Sequence, residues 1–177
     1  AHPTMKVPGV EVPSGALGHG LPVGVGMALA AKRSGRDYRV YVLMGDGEQA
    51  EGSVWEGAMS ASHYGLGNLV GIIDYNKLQI SGNVDDVMRL SSLTERWTSF
   101  GWKVVEIDGN DMKQIVQTFD ALDRNSSQPT LILAHTTKGA GVSFMENQAG
   151  WHHKVPTDAQ MEQALKELDA QLGEISI

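Results

Sequence analysis

A glycine-flanked aspartate, Gly45-Asp46-Gly47, is the segment whose residue types point most directly to chemistry. It comes straight after an apolar run that ends at Met44, so we expect Asp46 at the carboxyl edge of a sheet, where ligands bind in α/β folds. Glycine on either side removes side-chain bulk and lets a diphosphate lie against backbone N–H groups while the carboxylate holds a metal ion. Alone, the triplet is a weak signal, because Asp and Gly are common turn residues.

Asn76 adds a second oxygen ligand at a matching place in the chain. Asn76 follows another apolar run, residues 69–74. Between Asp46 and Asn76 the chain passes through a helical segment and then through this run. Adjacent parallel strands joined by a crossover helix would bring Asp46 and Asn76 to the same sheet edge, about 5 Å apart. Carboxylate, amide, carbonyl and phosphate oxygens suit octahedral magnesium. The pair therefore predicts a metal-diphosphate site.

The rest of the pattern predicts a scaffold for this pair. Apolar, β-branched runs predict four buried strands, at 39–44, 69–74, 103–107 and 130–134. Helical spacing predicts helices at 21–33, 53–64, 93–100 and 112–122, and an amphipathic closing helix at 157–172. This alternation predicts an α/β fold, with a mostly parallel sheet sandwiched by helices. We expect all 177 residues to form one domain.

Composition excludes several classes of function. A net charge of -7 with 14 scattered Lys and Arg residues argues against nucleic acid as a partner. The sequence has no Cys, which excludes disulfides, thiolate metal sites and cysteine nucleophiles. No apolar run approaches the ~20 residues that span a bilayer, so we expect no membrane segment and a cytoplasmic location. Because the sequence opens on Ala1-His2-Pro3 without an initiator Met, we expect part of the N-terminal region to be missing.

Together, the Gly-Asp-Gly triplet and Asn76 resemble the signature of thiamine-diphosphate-dependent enzymes, and the flanking residues resemble transketolase. The transketolase-like elements are His2-Pro3, residues 8–11, the glycine-rich run at 14–21, residues 25–28 and Glu51-Gly52. The resemblance extends from His2 to about Pro156. Subunits of the pyruvate dehydrogenase type share the triplet and Asn, but generally lack the His-Pro and glycine-rich elements.

The resemblance implies a set of cofactor and metal contacts. The implied ligands of Mg²⁺, for which Ca²⁺ or Mn²⁺ would substitute, are Asp46, Asn76 and the carbonyl of Leu78. The further implied contacts to thiamine diphosphate are Gly15, Leu17, Gly45, Gly47 and Ile80. His19 departs from the family, which commonly has Gln there, and this puts a specific polar contact at that position in doubt.

Three residues are implied to act in catalysis, each with an ordinary alternative. His2 matches a histidine that faces the reacting carbons, although a terminal histidine is often poorly anchored. His152 matches a histidine near diphosphate and substrate in split transketolases. The alternatives are that His152 is a solvent-facing loop histidine, or that its neighbour His153 is the residue that matches. Glu51 matches an interface glutamate that links paired sites, or it is a carboxylate that stabilises a helix start.

In this family, the glutamate that activates the aminopyrimidine comes from a different, pyrimidine-binding domain. We therefore expect the diphosphate-binding subunit of a two-chain transketolase, in a heterotetramer with a separate pyrimidine-binding/C-terminal subunit. The implied reaction transfers a two-carbon ketol unit from a ketose to an aldose phosphate; the particular sugars are not predicted. The alternatives are another thiamine-diphosphate enzyme, of the 1-deoxyxylulose-phosphate synthase or 2-oxo acid dehydrogenase type, and a non-catalytic cofactor-binding module.

Overall fold

The computed structural model describes residues 2–174, which build a four-stranded parallel sheet. Its strands are β1 (Val40–Gly45), β2 (Leu69–Tyr75), β5 (Lys103–Asp108) and β6 (Thr130–His135), in the order β1-β2-β6-β5, while β3 (Leu78–Gln79) and β4 (Gly82–Asn83) form a separate short hairpin. The four predicted strands are confirmed. Each ends one residue later than predicted, because backbone pairing continues past the last residue of the apolar run.

Within residues 2–174, six α-helices accompany the sheet. They are α1 (Gly20–Ser34), α2 (Gly52–His63), α3 (Val84–Met88), α4 (Leu93–Ser99), α5 (Met112–Asp120) and α6 (Asp158–Glu174). All of them except α3 begin and end within about two residues of the predicted bounds. The five-residue α3 and the β3–β4 hairpin were not predicted, since segments this short show no hydrophobic period. No helix within residues 2–174 has the length and apolarity needed to cross a membrane.

The main core lies on one face of the sheet, beneath α1, α2 and α4. Leu21, Met44 and Trp97 are among its fully buried side chains. Gly24 lets α1 approach β1 closely, because a Cβ there would lie 2.5 Å from Cγ2 of Val42. This packing fixes the carboxyl end of β1, where the Gly-Asp-Gly turn begins.

The opposite face is covered less completely. The side chains of α5 pack over the centre of the sheet, where Val70, Ile107 and Ile132 are buried. On β1, in contrast, Tyr41 is 48% exposed and Leu43 is 72% exposed. The predicted sandwich is therefore present, but among the described residues it covers the outer face of β1 only in part, where Tyr41 packs against Phe119 of α5.

The last helix is present as predicted, but its apolar stripe is not packed on the sheet. Its four apolar positions, Met161, Leu165, Leu168 and Leu172, are 39–65% exposed instead of packing on the sheet. The helix docks on the preceding loop largely through polar contacts: Glu167 accepts hydrogen bonds from the amide and hydroxyl of Ser143, at 2.7 and 2.8 Å. Thr157 caps its start, where it exchanges hydrogen bonds with Gln160.

Candidate functional site

Parallel pairing of β1 with β2 brings the two halves of the predicted site together. Gly45 lies opposite Asp74 in the sheet, so Asp46 and Asn76 emerge at the same carboxyl edge. The carboxylate of Asp46 accepts a hydrogen bond from the Gly47 amide at Oδ1, at 2.7 Å, and another from the Lys77 amide at Oδ2, at 2.5 Å. The chain therefore turns at Lys77 directly against Asp46, in agreement with the prediction that β1 and β2 are adjacent.

The backbone conformation of Lys77 makes this contact. Its φ of 64° is in the left-handed region, which is unfavourable for a residue with a side chain by roughly 1–2 kcal/mol. The turn aims the Lys77 amide at Asp46, and the Lys77 carbonyl accepts a hydrogen bond from the amide of Val84 at 3.0 Å. Hydrogen bonds on both sides of Lys77, one to its N–H and one to its C=O, thus hold this strained backbone conformation at the sheet edge.

Asp46 has the electrostatics of a cation ligand. Its side chain is almost completely buried, at 2% exposure, and burial raises its pKa to about 6 against the lowering effect of its two backbone hydrogen bonds. The nearby negative charge of Asp74 also raises this pKa. Neither ion pair found in residues 2–174 involves Asp46. A divalent cation would supply the positive charge that this carboxylate lacks, so the site fits a metal ion.

Asn76 is held in one orientation by its neighbours. Its Nδ2 donates to Oδ1 of Asp74 at 3.1 Å, while its Oδ1 accepts from the Leu78 amide at 2.9 Å. Thr136, at the end of β6, donates a further short hydrogen bond to the same Asp74 oxygen. An amide flipped by 180° would set an oxygen against this carboxylate, so Asp74 fixes which atom of Asn76 is the oxygen. Sequence reasoning missed Asp74 and Thr136, although an Asp that ends an apolar strand was a usable signal.

The predicted metal site would use few charged ligands. No group of three or more His, Cys, Asp or Glu side chains suited to a metal occurs within residues 2–174. The predicted set of Asp46, Asn76 and the Leu78 carbonyl contains one carboxylate and two neutral oxygens, so it would not form such a group. Its other ligands would come from the diphosphate and water, as is usual for Mg²⁺.

The glycine-rich loop lies beside this turn, and His2 is in contact with the loop. A Cβ at Gly15 would lie 2.7 Å from Nε2 of His2, so the imidazole packs directly on the glycine. Leu17 is 57% exposed, and so is available to a ligand. The ring of His19 points back into its own loop, where its Nδ1 lies 3.0 Å from the Leu17 carbonyl oxygen. The structure thus places His2 against the loop that carries Gly15 and Leu17.

Glycine at 47 allows the hairpin to approach the turn. A Cβ there would lie 3.1 Å from both Cβ and Oε1 of Gln79. Ile80, the next residue of that hairpin, is 62% exposed. Gly45 has open space where a Cβ would be. Apolar and backbone surface is therefore free on both sides of the Asp46–Asn76 pair.

The two remaining predicted catalytic residues differ in their surroundings. Glu51 directly precedes α2, makes no capping hydrogen bond with its side chain, and lies close to Gly18. His152 lies in the late loop, the segment between β6 and α6 (residues 136–157), and its ring is 4.7 Å from that of His153. Partial burial, followed by the positive charges of Lys138 and His153, lowers the pKa of His152. No hydrogen bond in the described residues links the His152 ring to Asp46 or Asn76, so its place in the site stays a prediction.

An open cleft of about 660 Å³ adjoins Asn76 at the carboxyl ends of β2, β5 and β6. In its lining, Nε2 of His135 lies 2.7 Å from Oε2 of Glu106, and the hydroxyl of Thr94 donates to Oε1 of the same carboxylate at 2.6 Å. The hydrogen bond from Thr94 and the one with His135 lower the pKa of Glu106. Sequence reasoning missed this cluster, because its members come from three separate elements, α4, β5 and β6, and form no motif.

Comparison with known proteins gives a consistent result. The family model described as "Transketolase, thiamine diphosphate binding domain" matches residues 1–173. The chain is 55% identical to an apulose-4-phosphate transketolase subunit of Phocaeicola vulgatus, over 98% of the chain and 62% of that relative. It is 50% identical to the subunit of the same name from Actinobacillus succinogenes, over 94% of the chain and 60% of the relative.

A solved structure shows the same architecture. The chain superimposes on transketolase from Campylobacter jejuni with a TM-score of 0.75 and 26% identity, over 98% of this chain and 32% of that one. The sequence relatives are longer than the chain, which spans about three fifths of their length.

Proposed function

The chain belongs to the transketolase family, by its match to the thiamine diphosphate binding domain, and we propose that it forms the diphosphate-binding part of a two-chain transketolase. The observation that carries the proposal is the contact between the Lys77 amide and the buried carboxylate of Asp46. This contact joins the two halves of the cofactor motif at one sheet edge.

In the proposed site, Asp46, Asn76 and the Leu78 carbonyl hold Mg²⁺, and the turn from Gly45 to Gly47 lies against the diphosphate. The raised pKa of Asp46 supports this role, because a bound cation would favour the charged form that burial disfavours. Asp74 orients the Asn76 amide so that its oxygen is free of the carboxylate.

When bound, thiamine diphosphate would supply the thiazolium carbon that attacks the carbonyl of a ketose donor. The chain's own contribution at this end is placement. We assign Gly15 and Leu17 to the cofactor surface, with Ile80 facing the rings from the hairpin. His2, packed on Gly15, would hold or release a proton beside the reacting carbons.

Two further residues are assigned with the partner in mind. His152 would approach the diphosphate and substrate from the late loop, and Glu51 would contribute to communication between paired sites. We propose that a separate pyrimidine-binding/C-terminal subunit completes the site in a heterotetramer. Both relatives are named as one subunit of a transketolase, which supports a partner chain of this kind.

A cytoplasmic location is part of the same proposal, and a sequence without Cys fits it.

The substrates are proposed as a ketose phosphate donor and an aldose phosphate acceptor. The names of the two relatives make apulose-4-phosphate the first donor to test. The complete protein is purified together with its companion subunit, and cofactor binding is measured by calorimetry with thiamine diphosphate and Mg²⁺. Transfer is then followed by chromatography of the sugar phosphate products.

Each outcome separates the proposal from its rivals. Two-carbon transfer that requires both chains and Mg²⁺ would support it. Carbon dioxide release from pyruvate would indicate a synthase or oxo acid dehydrogenase. Tight cofactor binding without turnover on any of these substrates would indicate a binding module.

A further inference from the structure

Glu48 joins two segments of the proposed cofactor site that are far apart in the chain. Its Oε1 accepts a hydrogen bond from the Gly18 amide at 2.8 Å, and its Oε2 accepts one from the Gly45 amide at 3.2 Å. Gly45 begins the diphosphate-binding turn, and Gly18 directly follows Leu17 in the glycine-rich loop. One carboxylate therefore contacts both segments.

We propose that Glu48 is a positioning residue, which sets the loop carrying Gly15 and Leu17 at a fixed place relative to the diphosphate-binding turn. The proposal rests on the proposed function and adds a residue to it. Glu48 need not touch the cofactor, because it acts through the two glycine amides.

Local geometry explains how Glu48 reaches both amides. Residues Gly47–Ala50 form a 3₁₀ turn, which carries the side chain of residue 48 back over Gly45. A carboxylate has two oxygens that accept without donating, so it satisfies two N–H groups at once. Hydrogen bonds to an ionised group are roughly twice as strong as neutral ones.

Both backbone polar groups of Gly18 are hydrogen-bonded to side chains. While Glu48 accepts from its amide, the hydroxyl of Ser53 donates to its carbonyl at 2.8 Å. Its φ of 79° and its burial require glycine, since a Cβ would lie 2.4 Å from the Ser53 oxygen. The loop is thus docked at one well-defined point.

The consequence reaches the reacting end of the site. From Gly18, the loop runs back through the exposed Leu17 to Gly15, on which His2 packs. Without Glu48, the buried Gly18 amide loses its acceptor, and such a group is costly to leave unpaired. We expect the loop to move away from Ser53, which shifts Leu17 and Gly15 relative to Gly45.

The test uses E48Q, E48A and S53A in the complete protein with its companion subunit. Glutamine retains the shape, but its NH₂ group faces one of the two amide donors. Glu162, an exposed residue paired with Lys166 on α6, provides the matched control E162Q. Thiamine diphosphate affinity is measured with Mg²⁺ by calorimetry, and kcat and the KM for thiamine diphosphate are measured separately.

For E48Q and E48A we expect the affinity for thiamine diphosphate to fall roughly tenfold or more. We expect kcat at saturating cofactor to stay within about threefold of wild type, because the loss is in placement before binding. Hydrogen exchange at the amides of Gly18 and Gly45 should accelerate even without cofactor. S53A should act in the same direction, and E162Q should match wild type.

Two results would overturn the assignment: unchanged affinity and unchanged exchange in E48Q, or a lower melting temperature with an unchanged KM for thiamine diphosphate. The second would show a merely structural role. If E48A does not fold, E48Q and S53A decide the question. If wild-type protein binds no thiamine diphosphate, the proposed function fails and the cofactor role of Glu48 with it, whereas normal wild-type binding with unaltered variants refutes Glu48 alone.

Discussion

The backbone amide of Lys77 donates a hydrogen bond to Oδ2 of Asp46, so the end of β2 is tied to the turn that follows β1. This bond lies at the junction of two segments that a crossover helix separates in the chain. It uses a backbone donor, so the side chain of Lys77 takes no direct part in it. Asp46 is thus both a proposed cation ligand and the residue that holds the Asn76 loop in place.

Replacing the carboxylate of Asp46 should abolish cofactor binding without loss of stability. We expect D46N to weaken thiamine diphosphate and Mg²⁺ binding by about 100-fold or more, because the charged ligand is gone. Without cofactor, its melting temperature should change little, because removing a buried charge without a cationic partner is stabilising, whereas the new NH₂ group faces one of the two backbone amide donors, of Gly47 or Lys77. Calorimetry and thermal unfolding check both parts, with the exposed D120N as control. Wild-type affinity in D46N would contradict the metal assignment.

Cofactor affinity should depend on pH around 6. Burial raises the folded-state pKa of Asp46 from 3.8 to about 6, so a cation must displace a proton below that pH. We expect affinity to fall by up to tenfold per pH unit below about 6, and to level off above it. Titrations from pH 5 to 8 measure this, and a flat profile in wild-type protein would count against it.

The same shift predicts an opposite trend in stability without cofactor. A carboxyl whose folded pKa is raised contributes stability that is fully present below the unfolded value of 3.8. This contribution is lost as pH rises through about 6. We expect D46N to lose this component of the pH dependence, which chemical denaturation at several pH values would reveal.

The hydroxyl of Thr136 should support metal binding through Asp74 and Asn76. T136V removes the hydrogen bond to Asp74 with little change in shape. We expect the Mg²⁺ concentration for half-maximal activity to rise several-fold, in line with about 1 kcal/mol for one hydrogen bond. Titration of Mg²⁺ at fixed thiamine diphosphate measures it, with T118V on α5 as matched control. Equal Mg²⁺ requirements in the two variants would refute the link.

Two glycines of α1 should respond in opposite ways to alanine. At Gly24 a Cβ would lie 2.5 Å from Val42 Cγ2, so we expect G24A to destabilise the fold by about 1–3 kcal/mol. At Gly26 nothing lies within 4 Å, and G26A should stabilise the helix by roughly 0.5–1 kcal/mol. Urea unfolding of both variants checks the pair. Similar effects at the two positions would show that α1 does not approach β1 as described.

Substituting two adjacent histidines of the late loop should show which of them approaches the substrate. If His152 approaches the substrate, H152A should lower kcat/KM for two-carbon transfer by at least about tenfold. H153A serves as its control and should have a small effect. The reverse ranking would assign the role to His153.

Much of the sheet was predictable, because burial on both faces makes a parallel strand a continuous apolar run. This is why 130–134 was recognised and β6 is buried from Thr130 to Ala134. The start of α5 at Met112 was predictable too, because apolar residues at helical spacing begin there. The docking of α6 was not, because its apolar spacing predicts a helix but not which surface buries it.

The sequence by itself determined the alternation of strands and helices, the turn from Gly45 to Gly47 and its partner Asn76. These follow from local composition and from the rule that adjacent parallel strands end at one edge. Only the tertiary structure decided that Asp74 and Thr136 orient Asn76, and that Glu48 ties Gly18 to Gly45. Such contacts depend on the relative placement of segments distant in the chain, which no local pattern of residues specifies.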